Sequence, residues 1–361
     1  MKIMKTRMFS LAVLFGAFIS LSGEWALASE LTKEYHEEYD ANENTLLKLN
    51  NQYGNMDIRN WDDPKIRIDV TVKVEHSNDE RAEKMLSYID VKFTSSGNTV
   101  TAETVFDDKF SRSGTWKNGN DFEINYTVQM PAKIDLELYN KYGQVNIEEV
   151  AGHVNLELKY GKLLIDKLSR GNVKPLNTIT LGYANGSSIT ECNWLKTSIK
   201  YSSLDIGRAR AFVGYTSYMK LSIGEASSVV IEGKYDGYQF GALANLVINT
   251  AYSNIKAERL DKKLEADTKY TNVTVDYMPA DFELINVTSK YGTYRIGIDD
   301  NASYQLEGEA GYSKIYYPET GRVSRIQENT SMEVSGTVGT DPNPSAKVKI
   351  TTKYGNVKLK D

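Results

Sequence analysis

Apolar residues in this chain alternate in short runs, and the alternation changes phase at a tyrosine. One copy reads Leu136-Glu-Leu-Tyr-Asn-Lys-Tyr142-Gly-Gln-Val145-Asn-Ile147, and another reads Thr268-Lys-Tyr270-Thr-Asn-Val273-Thr-Val275. The figure is apolar-x-apolar, then Tyr, then a small residue, then apolar positions three and five residues after the Tyr. It recurs at Tyr53, Tyr142, Tyr160, Tyr201, Tyr252, Tyr270, Tyr291, Tyr312 and Tyr354, with a degenerate copy at Tyr183. Between Leu221 and Ile231 the same pattern stands with Glu225-Ala226 in place of Tyr-Gly.

Residues two apart in a strand share a face. Leu136, Leu138 and Tyr142 share one parity, and Val145 and Ile147 the other, so the extended chain turns a corner at the Tyr. A Gly, Ser or Thr just after it suits a tight backbone approach. Each unit is thus two short strands hinged at Tyr-small. Successive tyrosines are 18 residues apart (142 to 160, 183 to 201, 252 to 270) or 21 apart (270 to 291, 291 to 312). A period near 20 predicts a parallel single-stranded β-helix, a β-solenoid; a right-handed winding is expected, although the period itself does not set the hand. The competing architecture is a multi-sheet antiparallel fold. It would need hairpin signals once per unit, and Asn118-Gly119, Asn185-Gly186 and Asp236-Gly237 do not recur that way.

Residues 29–130 read differently. Alternating runs at Lys65–Val74, Val91–Phe93, Thr99–Val105 and Phe122–Val128 predict strands. Between the first two, Ser77 and Glu80 have capping-box spacing, and Ala82, Met85 or Leu86, and Ile89 follow at helical intervals. The expectation is one helix near 79–89, covering an end or flank of the solenoid against edge pairing. The stretches Asp107–Asp121 and Gly336–Ser345 read as exposed loops. The predicted organisation is a leader over 1–28, a strand-rich segment with its helix over 29–130, and solenoid coils over 131–361.

The leader has Lys2, Lys5 and Arg7, then an apolar run from Met8 to Leu21, then Ala26-Leu27-Ala28. That pattern predicts a secretory signal with cleavage after Ala28, too short in its apolar part for a span of about 20 residues. It carries three basic residues and one acidic, so cleavage moves the formal charge from −5 to −7. A mildly acidic exported chain without another membrane-length segment does not suit nucleic acid. One Cys (Cys192) and three His exclude a disulfide framework and leave little for Cys- or His-based metal or triad chemistry.

Candidate chemistry is sparse. By parity the tyrosine rings face inward, as a structural ladder; the competing reading is a row of aromatic faces for glycan rings. A lysine precedes the Tyr at Lys141, Lys159, Lys200, Lys269, Lys290 and Lys353, on the outward parity. These lysines form either a solvated face or a basic stripe for an anionic glycan or lipopolysaccharide. The acid pairs Asp62-Asp63, Asp107-Asp108 and Asp299-Asp300 lack the spacing of a calcium loop. Arg208 and Arg210 have no acidic cluster in sequence to complete a lyase-type site. No catalytic, cofactor-binding or metal residue is assigned, and the expectation is a protein that is not an enzyme and uses no cofactor.

Several features together resemble one family. They are Asn60-Trp61-Asp62-Asp63-Pro64 with an alternating strand after it, the helix, the Gly97–Thr101 strand, Tyr126-Thr-Val-Gln-Met-Pro131, and the run of Leu-x-Leu-x-x-x-Tyr-Gly-x-Val-x-Ile coils. This layout is similar to the DUF4097 family of adhesin-type β-helices, relatives of the head domain of autotransporter adhesins. The resemblance covers essentially the whole mature chain. It implies a bacterial envelope protein (periplasmic, at the outer-membrane surface or secreted) acting as a non-catalytic scaffold for a cell-surface glycan or an envelope protein. The alternatives are a structural or regulatory envelope component and, third, a β-helix polysaccharide-active enzyme.

Overall fold

The structure is a computed structural model that describes residues 29–112 and 122–359. It is all-β and solenoid-like, with strands that pair mostly in parallel and two helices. The leader lies outside the described residues. Among the described residues no helix is long and apolar enough to cross a membrane. The chain divides into two compact units, one ending at Gly161 and the other starting at Lys162.

In the first unit the strands Leu46–Gln52 and Met56–Asn60 make one coil around the Tyr53 corner. Leu47, Leu49, Met56 and Ile58 are buried, as the alternation requires. This coil does not sit at the end of the stack. It pairs in parallel with Thr99–Phe106 and Phe122–Met130 on one side. On the other side it pairs with Asp135–Lys141 and Gln144–Val150. Beyond the Thr99–Phe106 rung, Ile89–Ser96 is added antiparallel. Beyond Phe122–Met130, Lys65–His76 and then Ser29–Asp40 are added antiparallel. Antiparallel strands thus flank the parallel rungs before residue 130.

The helix runs Asp79–Ser87 and packs on the strands Lys65–His76 and Ser29–Asp40 through Ala82 and Met85. Its N-cap is Asn78, whose side-chain oxygen accepts the Arg81 N–H at 2.9 Å, and not Ser77 as the capping-box spacing suggests. Asn supplies the same acceptor one residue later. A second, short helix, Asp108–Arg112, stands where a loop is expected and buries Phe110. In the Trp61–Pro64 turn, the Trp61 indole N–H donates to the Lys65 carbonyl at 2.7 Å, and the Arg67 guanidinium lies 4.8 Å from the Trp61 ring.

In the second unit the rungs stack in register, so that like residues form columns. Ile189, Ile206, Ile223, Phe240, Ala257, Val275 and Ile296 are successive partners. All are at most 2% exposed. Parallel stacking places such side chains about 4.8 Å apart, so every coil fills the gap left by its neighbours. The last coil departs from chain order. Ala346–Lys353 inserts between Leu284–Lys290 and Tyr304–Gly311, in parallel with both. Outside it, Tyr304–Gly311 takes Ser331–Val338 antiparallel, and that strand takes Gly321–Glu328. The loop expected from Gly336 thus begins only after Val338.

Candidate functional site

Twelve tyrosines among the described residues have a left-handed backbone, with φ between 51° and 65°: the ten of the sequence repeat together with Tyr218 and Tyr235. Eleven of them donate their N–H to the carbonyl of a residue in a neighbouring strand or turn. Tyr270, for example, donates to the Lys290 carbonyl at 2.8 Å, and Tyr291 to that of Lys353 at 2.9 Å. The left-handed turn is the corner, and it overturns the inward placement of the rings. Parity predicts the facing of a side chain only while the backbone stays extended; a left-handed residue swings its Cβ out of that register. Eleven of the twelve rings are exposed, from 39% at Tyr142 to 59% at Tyr312. Tyr53 is half-buried against Phe122 and Phe106, at 5.3 and 6.1 Å between centroids.

The residue after each Tyr turns inward in its place. Where it is Gly, no side chain fits: a Cβ on Gly143 would stand 1.9 Å from the Gly54 carbonyl oxygen, and one on Gly161 2.0 Å from that of Gly143. In the second unit the position is often polar, and its side chain bonds the backbone of the preceding coil. Ser202 Oγ accepts the Ala184 N–H at 2.9 Å, and Asp236 Oδ1 the Met219 N–H at 2.8 Å. Ser253 Oγ accepts the Asp236 N–H at 3.1 Å, and Thr271 Oγ1 the Ser253 N–H at 3.2 Å. Asp236 Oδ2 also accepts from the hydroxyls of Thr216 at 2.9 Å and Tyr238 at 2.8 Å. The corner is thus held on its inner side by hydrogen bonds and on its outer side by rings.

The rings form face-to-face stacks. Tyr53, Tyr142 and Tyr160 lie 5.0 and 5.1 Å apart. In the second unit the order is Tyr183, Tyr201, Tyr218, Tyr235, Tyr252, Tyr270, Tyr291, Tyr354, Tyr312, following the inserted last coil. Centroid separations there are 4.7–5.0 Å and planes lie 3–19° apart. A ring inside the stack has a near-parallel neighbour on each face. What it presents outward is an edge and a hydroxyl.

The lysines lie beside this stack, on the outward side that parity assigns to them. Lys200, Lys269, Lys290 and Lys353 share one column with Ser217, Ala251, Gly311 and a fifth lysine, Lys234. All five lysines are exposed, and among the described residues none has a carboxylate in ion-pair distance. Lys353 Nζ stands 5.3 Å from the Tyr354 ring centroid. In the first unit Lys141 and Lys159 are half-buried. Lys141 Nζ lies 4.7 Å from the Tyr142 ring, and a hydrogen bond to that side chain raises its pKa. Lys159 pairs with Glu157 at 2.6 Å. On the other flank of the second stack, Lys220 and Lys314 follow Tyr218 and Tyr312 by two residues and are exposed.

Tyr218, Tyr235 and Lys234 escape the sequence reading because a small residue is demanded after the Tyr, and Met219 and Asp236 stand there. The apolar positions three and five residues on, Leu221 and Ile223 or Tyr238 and Phe240, carry the signal without that demand. The Glu225-Ala226 copy is a different corner: Gly207, Gly224 and Gly241 follow one another there, with Arg208 paired to Glu225 at 3.2 Å. That corner lines a groove of about 570 Å³ with Glu191 and Glu258. A second groove, of about 360 Å³, holds Val213, Val230 and Val247 beside Glu232 and Asp267. The acid pairs serve turns: Asp107 accepts the Lys109 N–H at 2.8 Å, and Asp299 the Asn301 N–H at 2.9 Å and the Tyr277 hydroxyl at 2.9 Å.

No family model matches the chain, and no curated protein matches it significantly. Among solved structures, a candidate cell adhesion protein from Clostridium sporogenes is 13% identical, with 91% of this chain and 99% of that one covered at a TM-score of 0.21. A candidate adhesin from Parabacteroides merdae is 11% identical over 91% and 97%, at 0.30. A candidate lipid-binding protein from Parabacteroides distasonis is 11% identical over 91% and 97%, at 0.27. Scores of this size decide neither fold nor function, and both are read from this chain's own geometry.

Proposed function

We propose that the protein is an exported, adhesin-type β-solenoid of the bacterial envelope, without catalytic activity, that binds a linear anionic polysaccharide along the tyrosine–lysine stripe of its second unit. The leader and the DUF4097-like layout support the address. The ligand chemistry rests on one observation above all: five exposed lysines without ion pairs stand in one column beside the ring stack. Unpaired ammonium groups at multiples of the 4.8 Å rung spacing suit repeated carboxylates or sulfates. The near-parallel neighbours on the ring faces speak against stacking of neutral sugars along the stack, while phenol hydroxyls and ring edges suit polar groups. Backbone strain points the same way. A non-glycine residue in the left-handed region costs about 1–2 kcal/mol, and the chain places Tyr, not Gly or Asn, at every such corner.

The test is calorimetric titration of the mature protein with polygalacturonate, a linear polyuronate, against dextran of similar length. Polygalacturonate should bind and weaken as salt rises, because exposed charges are screened. Binding should fall at least tenfold in a Lys234→Gln, Lys269→Gln, Lys290→Gln, Lys353→Gln variant. Equal binding of dextran, or no binding of the polyuronate at low salt, would refute the reading. The second reading, an envelope protein as partner, draws on the edge strand Gly321–Glu328. Only Ser331–Val338 pairs with it among the described residues, and its other edge is open to strand addition.

A further inference from the structure

Independently of any ligand, the stack places phenols in a geometry that matters chemically. From Tyr183 to Tyr312 nine rings stand 4.7–5.0 Å from the next and within 19° of parallel. Successive coils are related by little more than one rung translation. The carbon ortho to each hydroxyl therefore lies about as far from its counterpart as the centroids do. The rings are 41–59% exposed, so an oxidant reaches them and each has room to tilt.

We propose that this ladder is a site of oxidative phenol coupling, at which a haem peroxidase with hydrogen peroxide joins neighbouring tyrosines of one chain as dityrosine. Each of two stacked phenols gives up one electron, and its hydroxyl proton leaves to water. The two phenoxyl radicals join through their ortho carbons. Each ring then passes its ortho hydrogen to its oxygen and regains the aromatic phenol. Two electrons and two protons leave per bond, and they reduce one hydrogen peroxide to two waters.

Three features favour coupling within the chain. The phenoxyl radicals are neutral and do not repel. A radical formed on one ring meets an identical phenol on the next, so exchange of a hydrogen atom, electron and proton together, moves the radical along the stack with no net change of bonds. The partner is held in place, which replaces a bimolecular encounter with a local one. Each link would tie coils 17 to 21 residues apart in sequence through most of the ladder, as between Tyr201 and Tyr218 or Tyr270 and Tyr291. The outcome is a solenoid covalently stapled on one flank under oxidative conditions.

The molecule contains its own controls. Tyr215, Tyr277 and Tyr316 are exposed, but their register partners include no tyrosine: Ser198 and Glu232, Arg259, and Lys358. Tyr238, Tyr294 and Tyr304 are buried. The experiment treats dilute mature protein with peroxidase and hydrogen peroxide, then reads dityrosine emission and the linked peptides by mass spectrometry of the monomer band. Links between stack neighbours, such as Tyr252 with Tyr270 or Tyr291 with Tyr354, are expected, and links from Tyr215, Tyr277 or Tyr316 are not. The variant Tyr201→Phe, Tyr235→Phe, Tyr270→Phe, Tyr354→Phe keeps every ring but leaves no two neighbouring phenols from Tyr183 onward. Its links in that region should fall at least tenfold, with the circular dichroism spectrum unchanged. Links confined to pairs of different chains, links from the unstacked tyrosines at equal yield, or undiminished links in the variant would each overturn the proposal. Oxidised stack tyrosines without dityrosine would do so as well.

Discussion

The rings of Tyr270 and Tyr291 lie 4.7 Å apart and 3° from parallel, so each lies against a face of the other. This is the closest and flattest pair in a stack whose members all sit on left-handed backbone. Ring contact on the outside and hydrogen bonds on the inside together hold a corner that the backbone alone disfavours.

Replacing Tyr270 separates these contributions. Tyr270→Ala removes two stacking contacts, each worth about 0.5–1.5 kcal/mol, and should cost about 1–3 kcal/mol in urea denaturation. Tyr270→Phe should stay within about 0.5 kcal/mol, since the hydroxyl faces water. Tyr270→Gly should be about 1 kcal/mol more stable than Tyr270→Ala, because glycine adopts φ of +52° without strain. Glycine no better than alanine would mean the corner is not strained.

Asp236 is the most heavily used inner residue of the corner. Asp236→Ala leaves the Met219 N–H without its side-chain acceptor and takes one acceptor from the hydroxyls of Thr216 and Tyr238, which still bond each other at 2.8 Å. With one buried donor left unsatisfied at about 1–3 kcal/mol and two weakened hydroxyl bonds, the loss should be about 2–3 kcal/mol. Asp236→Asn keeps an acceptor oxygen and should lose less than half of that. Equal losses in the two variants would point to the charge and not to the acceptor geometry.

Alkaline pH should unfold the second unit. Burial raises the pKa of Tyr238, Tyr294 and Tyr304 above that of a free phenol. A raised folded-state value means that the unfolded chain releases its protons first. The stability these groups contribute is complete below about pH 10 and is lost as pH climbs from there toward the folded-state values. Three such groups give a slope of up to about 4 kcal/mol per pH unit. Urea midpoints should be level between pH 7 and 9 and fall above 10. A fall that starts near pH 8 would have another source.

Cys192 is 1% exposed, and burial pushes its thiol up to about 12. A thiol so protected has neither thiolate nor access. A disulfide reagent should leave the native protein unlabelled at pH 8 and label one thiol in denaturant. Prompt native labelling would mean that its coil opens easily.

Much of this architecture is legible in the chain. The period near 20, the inward apolar pairs and the outward lysines all follow from alternation, which acts locally and needs no knowledge of neighbours. The helix at Asp79–Ser87 is legible for the same reason. The rings are where local reading fails. Tyr142 or Tyr270 has the parity of a buried residue, and only the left-handed φ turns it out; a phase change in the apolar pattern marks the corner without saying which residue makes it. Tyr218 and Tyr235 show the cost of a narrow template, for what the corner needs is an inward-fitting side chain and not always a small one.

Stacking order is decided by the tertiary structure alone. Leu46–Gln52 lies between two later strands, and Ala346–Lys353 between two earlier ones. The backbone edge of one rung offers the same donors and acceptors as any other, and the side-chain columns are nearly alike from coil to coil. Nothing local marks which rung is the neighbour. That choice rests on how well complete faces fill one another, and on the antiparallel strands at Ser29–Asp40 and Gly321–Glu328 that pair beyond the parallel rungs.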